Sequence, residues 1–225
     1  MNIKIPVYIA LIMLLGTASC KKEVDDAPDR PATTNLNVIN ATADTLNFYQ
    51  NGSRINIASS LYPLGAMGYT GVAVGERTYQ FKRIGRAAVL FDLPLAIDSA
   101  VTYSVFVAGL SADNAFSVRD TLVADTASRV KVRFVNASPD AGTLDVRVGE
   151  GDTVNFKLRP FKSATTFLTI GPGIKHIRVY QSGSAVPRLD ITRPLLSGRI
   201  YTIYAKGTAA GVGDNAFGTG LVVNR

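Results

Sequence analysis

The sequence predicts an all-β protein built as two tandem antiparallel β-sandwich domains of roughly seven to eight strands each. Three observations predict it. Apolar and polar residues alternate with a period of two along many short segments, and turn formers separate those segments every ten residues or so. The segments of the first half then recur in the second at a nearly constant spacing. A length of 225 residues suits one or two domains. Hydrophobic residues at 47% against 18% charged supply enough apolar material for packed cores and argue against disorder.

Residues 1–19 read as a processing signal rather than as fold. Lys4 supplies the positive charge, Ile5 to Leu15 the apolar stretch, and Gly16-Thr17-Ala18-Ser19 the small residues a signal peptidase needs. The run from Ile5 to Cys20 is shorter than the ~20 residues of a membrane-spanning helix, which favours a cleaved signal. Thr17-Ala18-Ser19-Cys20 resembles the lipobox of bacterial lipoproteins. That resemblance implies that the Cys20 thiol takes a diacylglycerol and becomes the new N-terminus, with more than one acyl chain making a stable anchor. The alternative is an ordinary signal beside a stray thiol. An unpaired cysteine is awkward in an exported chain, so the lipid reading is preferred.

Residues 20–34 then form a lipidated cysteine and a disordered tether. The stretch is charged, carries Pro28 and Pro31, and has almost nothing apolar to bury. Its flexible part spans roughly 20 Å. The acidic cluster Glu23, Asp25, Asp26 resembles surface-export signals of Bacteroidota lipoproteins, which favours display at the cell surface.

The domains follow at 35–125 and 129–225. Asn40-Ala41-Thr42-Ala43-Asp44 recurs as Asn136-Ala137-Ser138-Pro139-Asp140. Gly75, Gly85, Tyr103 and Gly109 return 98 residues later as Gly173, Gly183, Tyr201 and Gly207. Asp113-Asn114-Ala115-Phe116 returns 101 residues later as Asp214-Asn215-Ala216-Phe217. Matches in one order at nearly one offset indicate duplication of a whole domain. Within the copies, Val130, Val132 and Phe134 alternate with Arg129, Lys131 and Arg133, which predicts an apolar face and a solvated cationic face. Ile177 and Val179 alternate with His176 and Arg178, as Tyr79 and Phe81 do with Thr78 and Gln80. Tyr201, Ile203 and Ala205 mirror Tyr103, Val105 and Val107. Asn51-Gly52, Gly171-Pro172-Gly173 and Ser182-Gly183 mark turns.

Val135-Asn136-Ala137-Ser138-Pro139-Asp140-Ala141, followed by Leu144-Asp145-Val146-Arg147-Val148, resembles the opening of the domain of unknown function 4397, which is common in bacterial envelope proteins and often occurs in tandem. The resemblance runs along most of the second copy, with the first a degenerate version. It implies an immunoglobulin-like sandwich and no established catalytic residues. Asn136 and Asn40 stand where many members have histidine.

Composition excludes several chemistries. One histidine (His176), one cysteine (Cys20) and no tryptophan leave no histidine-dependent triad, multi-histidine or multi-cysteine zinc site, disulfide framework or iron–sulfur cluster. His176 is read as a solvated strand position. No serine has an evident activating base. Thirteen of the seventeen carboxylates lie in the domains, mostly aspartates at turns, and a paired-carboxylate glycosidase would need two of them across a cleft.

The two Asp-Asn-Ala-Phe loops are the candidate ligand loops. Asp113, Asn114, Asp214 and Asn215 have the oxygens to contribute to a calcium ion, but lack the spaced acidic ladder of a dedicated site. The preferred reading is structural, an Asx-turn with Phe116 or Phe217 plugging the end of the core. Ser138-Pro139-Asp140 is likewise read as turn chemistry. The formal charge of +7, the row Arg129/Lys131/Arg133 and nearby Lys157, Arg159 and Lys162 favour an anionic glycan or lipopolysaccharide over nucleic acid. Phe106 and Tyr204, outward on matching strands, read as a contact between the domains or as a sugar-stacking surface.

The sequence therefore predicts a non-enzymatic, lipid-anchored protein at the outer membrane that binds or scaffolds a glycan or a neighbouring envelope protein, with no cofactor, no metal and no nucleic acid. The rivals are a carboxylate-dependent glycan hydrolase and a ligand-free spacer.

Overall fold

The computed structural model describes residues 32–225. Cys20, the signal and most of the tether lie outside the described residues. The first sandwich comprises β1 (Thr33–Asn40), β2 (Leu46–Gln50), β3 (Ser53–Arg54), β4 (Thr70–Ala73), β5 (Gly75–Arg83), β6 (Val89–Ile97), β7 (Thr102–Val107) and β8 (Ala115–Asp120). The second repeats it as β9 (Val130–Asn136), β10 (Leu144–Val148), β11 (Phe156–Arg159), β12 (Leu168–Ile170), β13 (Gly173–Gln181), β14 (Pro187–Leu195), β15 (Ile200–Lys206) and β16 (Gly218–Val223). β1 takes in the last two residues expected of the tether, because Thr33 and Thr34 pair with Ala73 and Val72.

Each sandwich has two four-stranded sheets, and the topologies correspond strand for strand. The orders are β4-β1-β7-β8 and β3-β2-β5-β6 in the first, and β12-β9-β15-β16 and β11-β10-β13-β14 in the second. Among the described strands the pairing is antiparallel with one exception per sandwich: β1 runs parallel to β7, and β9 to β15. The chain leaves β1 for the opposite sheet and returns to its side several strands later, and that crossover permits the parallel pair.

The period-two pattern becomes two cores. In the first, Phe48, Tyr79 and Phe81 are fully buried, with Phe48–Tyr79 and Phe81–Phe91 stacked at 4.8 Å between ring centroids. In the second, Val130, Val132 and Phe134, with Ile203 beside them on β15, pack with Ile177 and Val179 of the other sheet. Burying each such side chain contributes about 1.5–3 kcal/mol.

A third apolar cluster lies between the sandwiches. Ile39, Ala41, Phe106 and Ala108 of the first meet Val135, Ala137, Tyr204 and Val222 of the second. The sheets carrying β1–β7 and β9–β15 therefore pack outer face to outer face, so that those four strands are covered on both sides. The result is a stack of four sheets.

Candidate functional site at the junction of the sandwiches

Two features of the junction position everything near it. The first is aromatic. Phe106 and Tyr204 hold corresponding places, on β7 and β15, and their rings meet edge-on at 5.6 Å. Equivalent residues touching one another are the mark of a two-fold relation. Phe106 also stacks on Phe116 at 5.6 Å, whereas the position opposite Tyr204 on β16 is Gly220. A Cβ on Gly220 would lie 2.1 Å from Tyr204 Cζ, so the missing side chain makes room for the phenol. Phe106 and Tyr204 are thus sealed in the contact between domains and present no sugar-stacking surface.

The second feature is polar and closed. Asp120 Oδ2 accepts from Tyr69 Oη at 2.6 Å and from Ser104 Oγ at 2.6 Å, while its Oδ1 accepts from Arg133 Nη2. Arg133 Nε donates to Thr202 Oγ1 at 2.9 Å, Thr202 Oγ1 donates to Asn224 Oδ1 at 2.6 Å, and Asn224 Nδ2 donates back to Tyr69 Oη at 2.8 Å. Tyr69, Ser104 and Asp120 come from the first sandwich, Arg133, Thr202 and Asn224 from the second. Burial, reinforced by the adjacent Asp120 carboxylate, pushes the Tyr69 phenol up to about 12 and keeps it a donor. This corrects the expectation that Arg133 lies on a solvated face. Its strand does alternate, but the polar face lies against the other sandwich, and the cation is accepted there because Asp120 and Thr202 meet it.

The recurring turns gather at one end of this junction. A cleft of about 490 Å3 opens at the carboxyl ends of β1, β7, β9 and β15. Thr42 and Asp44 line it from the turn after β1, and Pro139 from the matching turn after β9. Asn114 and Asn215 line it from the loops after β7 and β15. Two of the four candidate loop residues are therefore brought to one site. The other two, Asp113 and Asp214, are exposed and do not line it.

The loops are not the Asx-turns expected. Each is a single turn of 3-10 helix, Ala112–Asn114 and Gly213–Asn215, with no side-chain cap. Backbone bonds close them, Asn114 N to Ser111 O at 3.0 Å and Asn215 N to Val212 O at 3.1 Å, so the side chains are not needed as acceptors. The amides instead donate across the loop, Asn114 to Ser111 Oγ and Asn215 to Thr208 Oγ1, each at 3.3 Å. Phe217 packs on the second core, under the Arg188 guanidinium at 4.2 Å. Phe116 lies in the seam instead, because β8 starts at Ala115 while β16 starts only at Gly218. Among the described residues, no group of three or more His, Cys, Asp or Glu side chains is placed to hold a metal ion.

The motif asparagines brace the cleft from behind. Asn40 is fully buried, donates to Asp44 O at 2.7 Å and Leu61 O at 2.8 Å, and accepts from Thr42 N at 3.0 Å. Asn136 does the same with Gly142 O, Arg159 O and Ser138 N. Asp140 bonds not to its own turn but to Ala209 N at 2.8 Å, clamping two cleft loops together. His176 is half-exposed on β13, with Nδ1 3.1 Å from Asp190 Oδ1.

A protein-family model described as "Domain of unknown function (DUF4397)" matches residues 34–147. The chain belongs to the DUF4397 family. The matched stretch covers the first sandwich from β1 and ends within β10 of the second. The DUF4397 match takes in all of the first copy and reaches the Asn136–Asp140 turn near its end. No curated protein matches the chain.

Proposed function

We propose that this DUF4397 member is a bacterial lipoprotein, of the Bacteroidota type, that holds a non-enzymatic binding or scaffolding module at the outer membrane. On this reading Cys20 carries the lipid, and both sandwiches are copies of the family domain. The strand-for-strand correspondence supports the last point.

The observation that carries the binding role is the convergence of all four recurring turns on one cleft between rigidly joined sandwiches. Thr33 lies at the other end of β1 from that cleft. Eight strand residues place the two roughly 23 Å apart at ~3.3 Å per residue. The ligand class is an envelope glycan or a neighbouring envelope protein. Extended strands and short loops give such a ligand a preformed surface that orders little on binding.

Two measurements test this. Cys20→Ser is expected to move the protein from the membrane fraction to the soluble one, and intact mass to show an acylated cysteine in the native chain. Unchanged fractionation would refute the anchor. Capture from envelope extracts is expected to depend on Asn114 and Asn215, and capture of nothing would leave a spacer.

A further inference from the structure

Cations that the sequence scatters are brought together on the second sandwich. A depression of about 350 Å3 at its border with the first is lined by Arg119 and Thr121 of one and Lys131 and Arg133 of the other. A second depression, of about 360 Å3, is lined by Lys157 and Arg159 of β11. The two adjoin, because Thr165, Thr166 and Phe167 form a wall of both. Among the described residues, no carboxylate lines either one.

The charges are unequally compensated. Arg133 is neutralised by buried Asp120, and Arg119 pairs with exposed Asp98 at 2.6 Å. Lys131, Lys157 and Arg159 make no ion pair among the described residues. Lys131 Nζ reaches only the Val123 carbonyl, at 2.6 Å, and Arg159 Nε only the Lys157 carbonyl. Thr165 Oγ1 accepts from Phe134 N at 3.0 Å, which leaves its own O–H to donate. Each volume sits at the small end of ligand sites, which run from about 300 to 1,000 Å3.

We propose that these two adjoining depressions bind successive residues of an acidic, carboxylate- or sulfate-bearing polysaccharide. Unpaired cations meet the acid groups, and the threonine wall meets ring hydroxyls. Edge protection accounts for Lys157 on edge strand β11, but not for Lys131, which lies on interior strand β9. Nucleic acid fits less well. Its bases need open aromatic faces, and the Phe167 ring already carries the Arg133 guanidinium 4.8 Å from its centroid. A membrane surface is flat, and these sites are concave. The assignment rests on the reading of the chain as an envelope binding module and names a ligand for a second face of it.

The test is calorimetric titration of the full chain with an oligogalacturonate and with a dextran oligomer of equal length. The uronate is expected to bind, with affinity falling as salt rises, and the dextran not to bind. Combined Lys131→Gln, Lys157→Gln and Arg159→Gln is expected to weaken uronate binding at least about tenfold. Arg86→Gln, an exposed turn cation of the first sandwich, is expected to leave it unchanged. Should the triple variant lose its fold, Lys157→Gln alone, exposed on its strand, carries the same comparison. Equal binding of dextran, no binding of uronate, or indifference to these substitutions would overturn the proposal. So would tighter binding of a single-stranded oligonucleotide or of phosphatidylglycerol vesicles. Failure here with cleft-dependent capture intact would remove this site and leave the binding-module reading standing.

Discussion

Arg133 on β9 and Asp120 at the end of β8 form an ion pair across the two sandwiches, with side chains only 1% and 0% exposed. Neither charge has access to water, so each depends on the other and on the hydroxyls around them. The pair also disfavours any alignment of the sheets that would bury one of these charges without the other.

Arg133→Ala is accordingly expected to destabilise the protein by about 3–5 kcal/mol, because Asp120 is left buried and unpaired. Arg133→Met combined with Asp120→Leu is expected to recover most of that loss. Urea unfolding of the parent, Arg133→Ala, Arg133→Met, Asp120→Leu and the double variant measures both the loss and the coupling. A fully additive double variant would mean that the pair does not act as a unit.

The Tyr69 phenol makes stability pH-dependent on the alkaline side. Its folded pKa, about 12, lies above the ordinary 10.0, so the folded chain keeps a proton that the unfolded chain releases. The contribution is complete below pH 10 and is lost as pH rises from 10 towards 12. Burial pushes Tyr204 in the same direction. Tyr69→Phe is expected to flatten the fall in melting temperature across that window. An unchanged slope would contradict the buried circuit.

Gly220→Ala would drive a methyl group into a ring that is itself fully buried. A loss of about 1–3 kcal/mol is expected. Tyr204→Leu should suppress most of the further cost of the alanine, giving a coupled double-mutant cycle in denaturant melts.

Asn114→Ala and Asn215→Ala each remove one amide-to-hydroxyl bond across a loop whose backbone bonds remain. Each is expected to cost no more than about 0.5–1.5 kcal/mol. The double variant is nevertheless expected to lose capture of envelope material. Retained capture would remove the cleft from the binding role.

Much of the fold was legible because its cause is local. Val130, Val132 and Phe134 point one way and Arg129, Lys131 and Arg133 the other whatever lies beyond, and Tyr79 and Phe81 reach the first core as their alternation requires. What the far side of a strand faces is not local. Arg133 has the pattern of a solvated cation, and its partners Asp120, Thr202 and Asn224 are distant in the chain and unmarked by any motif. The equivalence of Phe106 and Tyr204 pointed to the seam, yet the Asp-Asn-Ala-Phe repeat concealed a shift: Phe116 enters β8, while Phe217 stays outside β16. The cleft was half visible. Recurrence singled out Asn114 and Asn215, but nothing in their spacing showed that both would line one cavity with the turns after β1 and β9.

Differential scanning calorimetry of the described domain pair within the full chain tests most directly whether the sandwiches form one rigid body. A single transition, with calorimetric and van't Hoff enthalpies equal, is the result expected from a buried circuit and a shared apolar seam. Two separable transitions, each unmoved by Arg133→Ala, would contradict it.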